Sequence, residues 1–155
     1  MTDVFNLRGD EWDRAEERDG WRSKDVWVGR RLNAELIGGS MYELEPGARL
    51  FPYHTHHANE EWILVVLGRP TLRTANGERE LQEGDVVVFR RGKDGFHQVS
   101  NRTDSPIRVL MISTLIAPDI VEYPDSGKVG ARSAEGERIL LSRPGPMLDY
   151  WDGED

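Results

Sequence analysis

The chain has 155 residues, which is enough for one domain with its own hydrophobic core. Its net charge of −8 argues against general nucleic-acid binding, and the absence of cysteine excludes disulfides, thiolate metal sites and cysteine nucleophiles. It begins without the pattern of a signal peptide, and its longest apolar stretch, residues 62–67, is too short to cross a bilayer, so we expect a cytoplasmic protein with no membrane partner.

Residues 1–31 form a polar and charged N-terminal arm with tryptophans at positions 12, 21 and 27. Residues 10–18 are expected to form one or two helical turns, although their apolar periodicity is poor. Because aromatic side chains carry a large apolar area, the tryptophans predict that the arm packs onto the body of the protein.

The central region, about residues 32–116, has the pattern of short strands separated by turns. Turn signals recur about every eight to twelve residues, which predicts an all-β sandwich or barrel. Asn76-Gly77 between two short strands is a strong hairpin signal. The predicted strands are residues 36–44, 62–67, 71–74, 78–81, 86–89, 96–100 and 107–115.

Residues 117–155 form a C-terminal extension with four prolines and short predicted strands at 120–123 and 139–141. Its end is acidic but carries Tyr150 and Trp151. We expect these aromatic side chains to dock this arm, with a second subunit as one candidate surface.

Three of the four histidines and one glutamate form a candidate metal site. Side chains alternate between the two faces of a strand, so His54 and His56 point the same way. Glu61 shares the parity of an apolar row of Ile63, Val65 and Leu67, and His97 begins another strand-like run. His57 has the other parity and is expected to face solvent, whereas Glu60 competes with Glu61 as the carboxylate.

This set of donors has a definite chemical preference. Three neutral imidazoles and a carboxylate suit one divalent ion of Fe, Mn, Co, Ni, Zn or Cu and are too rich in nitrogen for Mg or Ca. A single histidine on a strand, however, is more often a hydrogen-bonded or surface residue than a metal ligand.

Two further features bear on partners. Trp62, Leu64 and Val66 form a second apolar row on the opposite face of their strand, which predicts a cover by the N-terminal arm or by a homodimer interface. Basic residues at a pocket mouth would attract an anion. The candidates are Arg49, Arg73, Arg90, Arg91 and Lys93, although such residues more often belong to ordinary solvated surface.

The histidine region resembles the cupin superfamily. His54, His56, Glu61 and Gly68 match the first cupin motif, in which a glycine precedes His-X-His, a glutamate and a second glycine. Gly47 lies one residue further from His54 than that motif requires.

The second cupin motif is matched by Gly84, Gly92, His97 and Asn101. Arg90 stands where that motif has a proline, and the loop from Gly92 to His97 is two residues longer. These departures lie in turns, so they change the expected loop and leave the four candidate ligands in place.

The resemblance implies a double-stranded β-helix, the cupin jelly-roll barrel, as a single domain over residues 1–155. It implies that His54, His56, Glu61 and His97 hold one divalent transition metal at the barrel mouth. The expected partner is a small anionic metabolite, and a likeness to sugar-phosphate isomerase-like cupins is looser. The fold does not decide whether the chain is an enzyme or a non-catalytic binding or sensor module, so both stay open. An enzyme of this kind would be a dioxygenase, or an isomerase or epimerase.

Overall fold

The computed structural model describes residues 3–154, which form an almost entirely β structure. Its only α-helix in this range, α1, spans Val28–Arg31, and 3₁₀ turns span Gly92–Gly95 and Pro124–Ser126. The strands are β1 (Arg14–Glu16), β2 (Ser23–Val26), β3 (Ile37–Leu44), β4 (Thr55–His56), β5 (Glu61–Leu67), β6 (Thr71–Thr74), β7 (Gly77–Glu80), β8 (Val86–Phe89), β9 (His97–Ser100), β10 (Ile107–Thr114), β11 (Asp119–Tyr123), β12 (Lys128–Arg132) and β13 (Arg138–Ser142).

These strands form three antiparallel sheets. The largest has the order β1-β2-β3-β10-β5-β8, and the others have the orders β13-β12-β11-β4 and β7-β6-β9. The interior lies between the sheets, where Ile63 and Val109 of the large sheet share one core with Leu72 and Val99 of the three-stranded sheet. The predicted all-β jelly-roll barrel is therefore confirmed.

All nine predicted strands occur to within one residue at either end, and the Asn76-Gly77 hairpin joins β6 to β7. The expected helical turns at residues 10–18 are wrong, because this segment contains β1, which pairs with β2 at the edge of the large sheet. Its charged residues make cross-strand contacts instead, such as the 2.9 Å ion pair between Arg14 and Asp25. No helix in residues 3–154 is long and apolar enough to cross a membrane.

The outer face of the large sheet carries a second apolar cluster. Val26, Met41 and Leu110 are buried there. Phe5, Leu7 and Trp12 of the N-terminal arm pack against this cluster, together with Leu64 and Val66 of β5. The arm thus covers part of the second apolar row, as the sequence predicted, but Trp62 at the start of that row stays 47% exposed.

Strand β5 departs from simple alternation near its end. Ile63 and Val65 are buried in the barrel, but Leu67 is 41% exposed, so its predicted inward orientation is wrong. The pairing with β10 shifts by one residue between Arg108 and Val109, which leaves Val66 as the extra residue of a β-bulge. The bulge reverses the alternation after Val65 and does not affect Glu61 at the other end of the strand.

Candidate metal centre

The four predicted residues come from three places in the barrel and meet at its mouth. His54 and His97 lie opposite each other in an antiparallel bridge, in which each backbone N–H donates to the other residue's carbonyl at 3.1 and 2.9 Å. His56 lies in β4, which pairs with β11, and Glu61 begins β5. The backbone pairings therefore fix the relative positions of these side chains.

Glu61 Oε2 is the common centre of the cluster. It lies 3.8 Å from His54 Nε2, 3.7 Å from His56 Nε2 and 3.4 Å from His97 Nε2. Two ligands that are each about 2.1 Å from one ion can be at most about 4.2 Å apart, so all three distances fit a shared ion. Donor atoms of His54, His56 and Glu61 also lie within 4.8 Å of one another, and this group of three could hold a metal ion. His97 is not a member of that group and approaches it through Glu61 Oε2.

The hydrogen bonds of the three imidazoles set their tautomers. His54 Nδ1 donates to the carbonyl of Pro52 at 2.8 Å, and His97 Nδ1 donates to that of Gly95 at 2.8 Å. A carbonyl can only accept, so the proton of each neutral ring is on Nδ1 and the lone pair is on Nε2. His56 Nδ1 lies 2.5 Å from Asp119 Oδ2, which orients the third ring in the same way.

Burial holds two of these rings in the neutral form that can bind a metal. It lowers the pKa of His54 to about 4 and that of His97 to about 3, and the neighbouring imidazoles act in the same direction. Burial also raises the pKa of Glu61, which the positive charge of a protonated His56 opposes. At neutral pH, His54 and His97 therefore offer lone pairs and no competing protons.

Two donor atoms at the centre have no partner among the described residues. Glu61 Oε2 and His97 Nε2 are buried and accept no hydrogen bond there. An unsatisfied polar group in the interior is costly, and a divalent cation would satisfy both atoms at once. The donor set, its spacing and its unsatisfied atoms all fit a transition-metal ion.

Aromatic rings surround the imidazoles. Phe89 pairs with Glu61 across the sheet, and its ring stacks on that of His97 with centroids 3.8 Å apart and an interplanar angle of 2°. Tyr123 stacks on His54 with centroids 5.9 Å apart. These contacts restrict the rotation of the two rings.

A cavity of about 270 Å³ opens onto His54, His56 and Glu61. It is slightly smaller than the usual range for ligand pockets, about 300–1,000 Å³, so it suits a small metabolite. Its other lining residues include Tyr42, Phe51, Tyr123, Arg132 and Arg138.

The two competing sequence candidates lie outside the cluster. His57 is exposed and pairs with Glu122 at 2.6 Å. Glu60 is exposed and accepts a hydrogen bond from Trp62 Nε1. Parity along β5 thus separated Glu61 from Glu60 correctly, and His57 faces away from the site as predicted.

The basic residues chosen from the sequence do not line this cavity in the described structure. Arg73 forms an ion pair with Asp125 at 2.6 Å and lies over the ring of Tyr53, and Arg49 lies over Trp21. Arg132 and Arg138 line the cavity instead. The sequence patterns did not identify these two arginines or Asp119 as site residues. For Asp119, the inward parity that it shares with Val121 is a signal that could have found it.

The comparisons with known proteins agree with this geometry. Residues 40–113 match the family model of the cupin domain. No curated protein matches the chain at a significant level.

Three solved structures illustrate the likeness. A protein from Acidithiobacillus ferrooxidans, provisionally named a sugar phosphate isomerase, is 27% identical with a TM-score of 0.75, and the match covers 84% of this chain and 83% of that one. A cupin-superfamily sugar phosphate isomerase from Silicibacter pomeroyi is 28% identical with a TM-score of 0.75, over 85% and 82% of the two chains. A cupin protein from Bacteroides fragilis is 25% identical with a TM-score of 0.52, over 68% and 86%. The family match shows that residues 40–113 form a cupin domain, and the jelly-roll barrel and these structures agree with it.

Proposed function

We propose that this cupin binds one divalent transition-metal ion through His54, His56, Glu61 and His97 and uses it to bind and convert a small anionic metabolite. The observation that carries the proposal is the convergence of three Nε2 atoms on the buried, unsatisfied Glu61 Oε2. Nitrogen-rich donors of this kind favour Fe, Mn, Co, Ni, Zn or Cu. When bound, such an ion supplies Lewis-acid or dioxygen chemistry at the barrel mouth.

The residues of the cavity support an enzyme of the isomerase or epimerase class. The cavity is lined by residues of the candidate metal centre and also by two tyrosines and two arginines, so it offers polar groups to more than one part of a small molecule. The Acidithiobacillus and Silicibacter structures are named as sugar phosphate isomerases, and these names point to the same enzyme class and to a small anionic substrate. A dioxygenase would use the same ligands, and the identity of the bound metal separates these two classes.

Elemental analysis of the protein, purified without an affinity tag, tests the metal site. We expect close to one equivalent of a single transition metal per chain. Zinc or manganese would favour isomerase chemistry, which a panel of sugar phosphates then tests by turnover, and iron would favour dioxygen chemistry. A protein without metal, even after incubation with each ion in turn, would overturn the proposal. Ligand binding without turnover would show a sensor instead of an enzyme.

Asp119 is expected to tune the affinity of the site for metal. Its Oδ2 accepts from His56 Nδ1, and its Oδ1 accepts from the backbone N–H of Ala58 at 2.8 Å. Burial raises the pKa of Asp119, but these hydrogen bonds outweigh it and lower the pKa overall, so the carboxylate stays charged. The amide of an Asp119→Asn variant cannot accept at both positions, and we expect metal affinity to fall by about 10- to 100-fold.

Competition with a chromogenic chelator measures this change. Asp125→Asn is the matched control, because it removes a carboxylate that is paired with Arg73 outside the cluster. Equal affinities in the wild type and in Asp119→Asn would show that the hydrogen bond to His56 does not orient the ring.

We also propose that the protein is a cytoplasmic homodimer built from one domain over residues 1–155. Exposed apolar side chains support a partner. Trp62, Val86 and Val88 are 47%, 55% and 42% exposed on the face of β5 and β8, and Tyr150 and Trp151 in the C-terminal arm are 84% and 70% exposed. Within one chain these two aromatic rings contact each other edge to face.

Deletion of residues 144–155 tests the role of this arm. If the arm packs on the partner, the full chain has the mass of a dimer and the deletion variant shifts towards a monomer, while its circular dichroism stays unchanged. Light scattering over a range of protein concentrations measures both masses. A full chain that is monomeric at all concentrations would overturn the proposed dimer. A deletion variant that keeps the mass of a dimer would show that the arm is not part of the dimer interface.

A further inference from the structure

Two arginines face each other across one hairpin at the mouth of the cavity. Arg132 ends β12 and Arg138 begins β13, and the two are partners in the register of this strand pair. Both line the cavity that contains His54, His56 and Glu61. A second cavity reaches His56 and Glu61 from another side, and Arg132 also lines that one. The hairpin therefore holds a pair of positive charges over the metal centre.

These two charges are not balanced within the part of the chain that the structure describes. Neither guanidinium forms an ion pair there, whereas Arg73 and Arg108 are paired with Asp125 and Glu43. Arg132 Nη1 donates to the carbonyl of Gly136 in the hairpin turn at 3.0 Å. Like charges directly opposite each other destabilise a strand pair, so this arrangement favours an anion between them.

We propose that Arg132 and Arg138 bind the phosphate group of a small phosphate monoester whose other end reaches the metal centre. This inference deepens the proposed function and depends on it for the role of the metal-bound end. A phosphate monoester carries a charge of about −1.5 to −2 at neutral pH, which matches two guanidiniums, whereas one carboxylate neutralises only half of their charge. The planar guanidinium fork also donates two parallel hydrogen bonds to phosphate oxygens.

The position of the pair explains how one molecule contacts both ends. Tyr123 lines the same cavity as the two arginines, and its ring stacks on that of His54. Phe51, Tyr42 and Val121 add aromatic and apolar walls to this cavity. A small phosphorylated molecule with oxygen atoms at its other end fits a cavity that offers both the arginines and the histidines.

Isothermal titration calorimetry of the full chain, in the metal-loaded state, tests the proposal. The probes are ribose 5-phosphate, inorganic phosphate, ribose without phosphate, and gluconate as a carboxylate. We expect ribose 5-phosphate to bind at least about tenfold more tightly than ribose or gluconate, because charged hydrogen bonds carry that much free energy. The Arg132→Gln/Arg138→Gln variant should weaken the binding of ribose 5-phosphate and inorganic phosphate by at least about tenfold. Its metal content should not change.

The control is Arg79→Gln/Arg90→Gln, which removes the same total charge from positions that are exposed like Arg132 and Arg138 but lie outside the cavity. It should change the affinity for ribose 5-phosphate by less than about twofold, because charges that lie away from the cavity are screened by salt. An equal loss in both double variants would show general electrostatics and overturn the proposal. A preference for gluconate, or no effect of the Arg132 and Arg138 substitutions, would overturn it as well.

Metal content separates the failure of this inference from that of the proposed function. Protein that contains no metal but prefers phosphate through Arg132 and Arg138 would retain the anion site and lose the metal-dependent function. Protein that contains metal but does not prefer phosphate would retain the metal site and lose the proposed phosphate site.

Discussion

We expect a His56→Ala variant to lose the metal that the proposed site holds and to keep its β fold. His56 supplies one of the three Nε2 atoms around Glu61, and its side chain is 19% exposed, so its removal disturbs the core less than that of His54 or His97. The variant leaves Asp119 Oδ2 without its donor, at a cost of about 1–3 kcal/mol. A domain with a typical stability of about 5–15 kcal/mol tolerates this loss.

His57→Ala is the matched control for this prediction. It removes the neighbouring histidine, which is exposed and paired with Glu122 away from the cluster. We expect the control to retain full metal content. Elemental analysis gives the metal content, and circular dichroism with thermal unfolding verifies that both variants are folded. Unchanged metal in His56→Ala, or equal losses in both variants, would remove His56 from the ligand set.

The strands and the shared orientations of His54, His56 and Glu61 were predictable because they follow from local alternation, whereas the meeting of His97 with them was implied by the resemblance to the cupin motifs. The parity of β5 places Glu61 on the face of Ile63 and Val65, and both are fully or almost fully buried in the barrel. The same parity brings His54 and His56 to one side of their strand. These relations need no knowledge of how distant strands pair, so the sequence alone contains them.

The outer residues of the site depend on pairings that local patterns do not encode. Asp119 reaches His56 because β11 pairs with β4, two segments that are more than sixty residues apart in the chain. Arg132 and Arg138 reach the cavity because β12 and β13 extend the same sheet. In the sequence they are two arginines among many in a region with weak apolar periodicity, and only the sheet order places them over the metal centre.

The bulge in β5 and the strands of the N-terminal arm show the same limit. Leu67 continues the inward row in the sequence, but the extra residue Val66 reverses its direction. Residues 23–26 form a strand because they pair with the free edge of β3, and residues 14–16 form one because they pair in turn with residues 23–26, not because of their own composition. Tertiary contacts override weak local preferences at such positions.

The loop before His97 is one of the places where the sequence departs from the cupin motifs. The shape of this loop depends on Gly95. This residue is buried in the 3₁₀ turn, and its carbonyl accepts from His97 Nδ1. A Cβ atom on Gly95 would lie 1.6 Å from the carbonyl oxygen of Arg90 and 3.0 Å from Thr55 Oγ1. The first of these neighbours is backbone, so the turn must move to accept any side chain.

A Gly95→Ala variant is therefore expected to lose about 3 kcal/mol or more of stability and to weaken metal binding. The displaced turn takes the Gly95 carbonyl away from His97 and frees that ring to rotate. Gly92→Ala is the matched control, because Gly92 lies in the same turn with φ at +72° and no neighbour within 4 Å of the added Cβ. It should lose about 1 kcal/mol from backbone strain alone and retain its metal. Urea unfolding and chelator competition measure both quantities, and equal losses in the two variants would show that the close approach of Gly95 to Arg90 does not position His97.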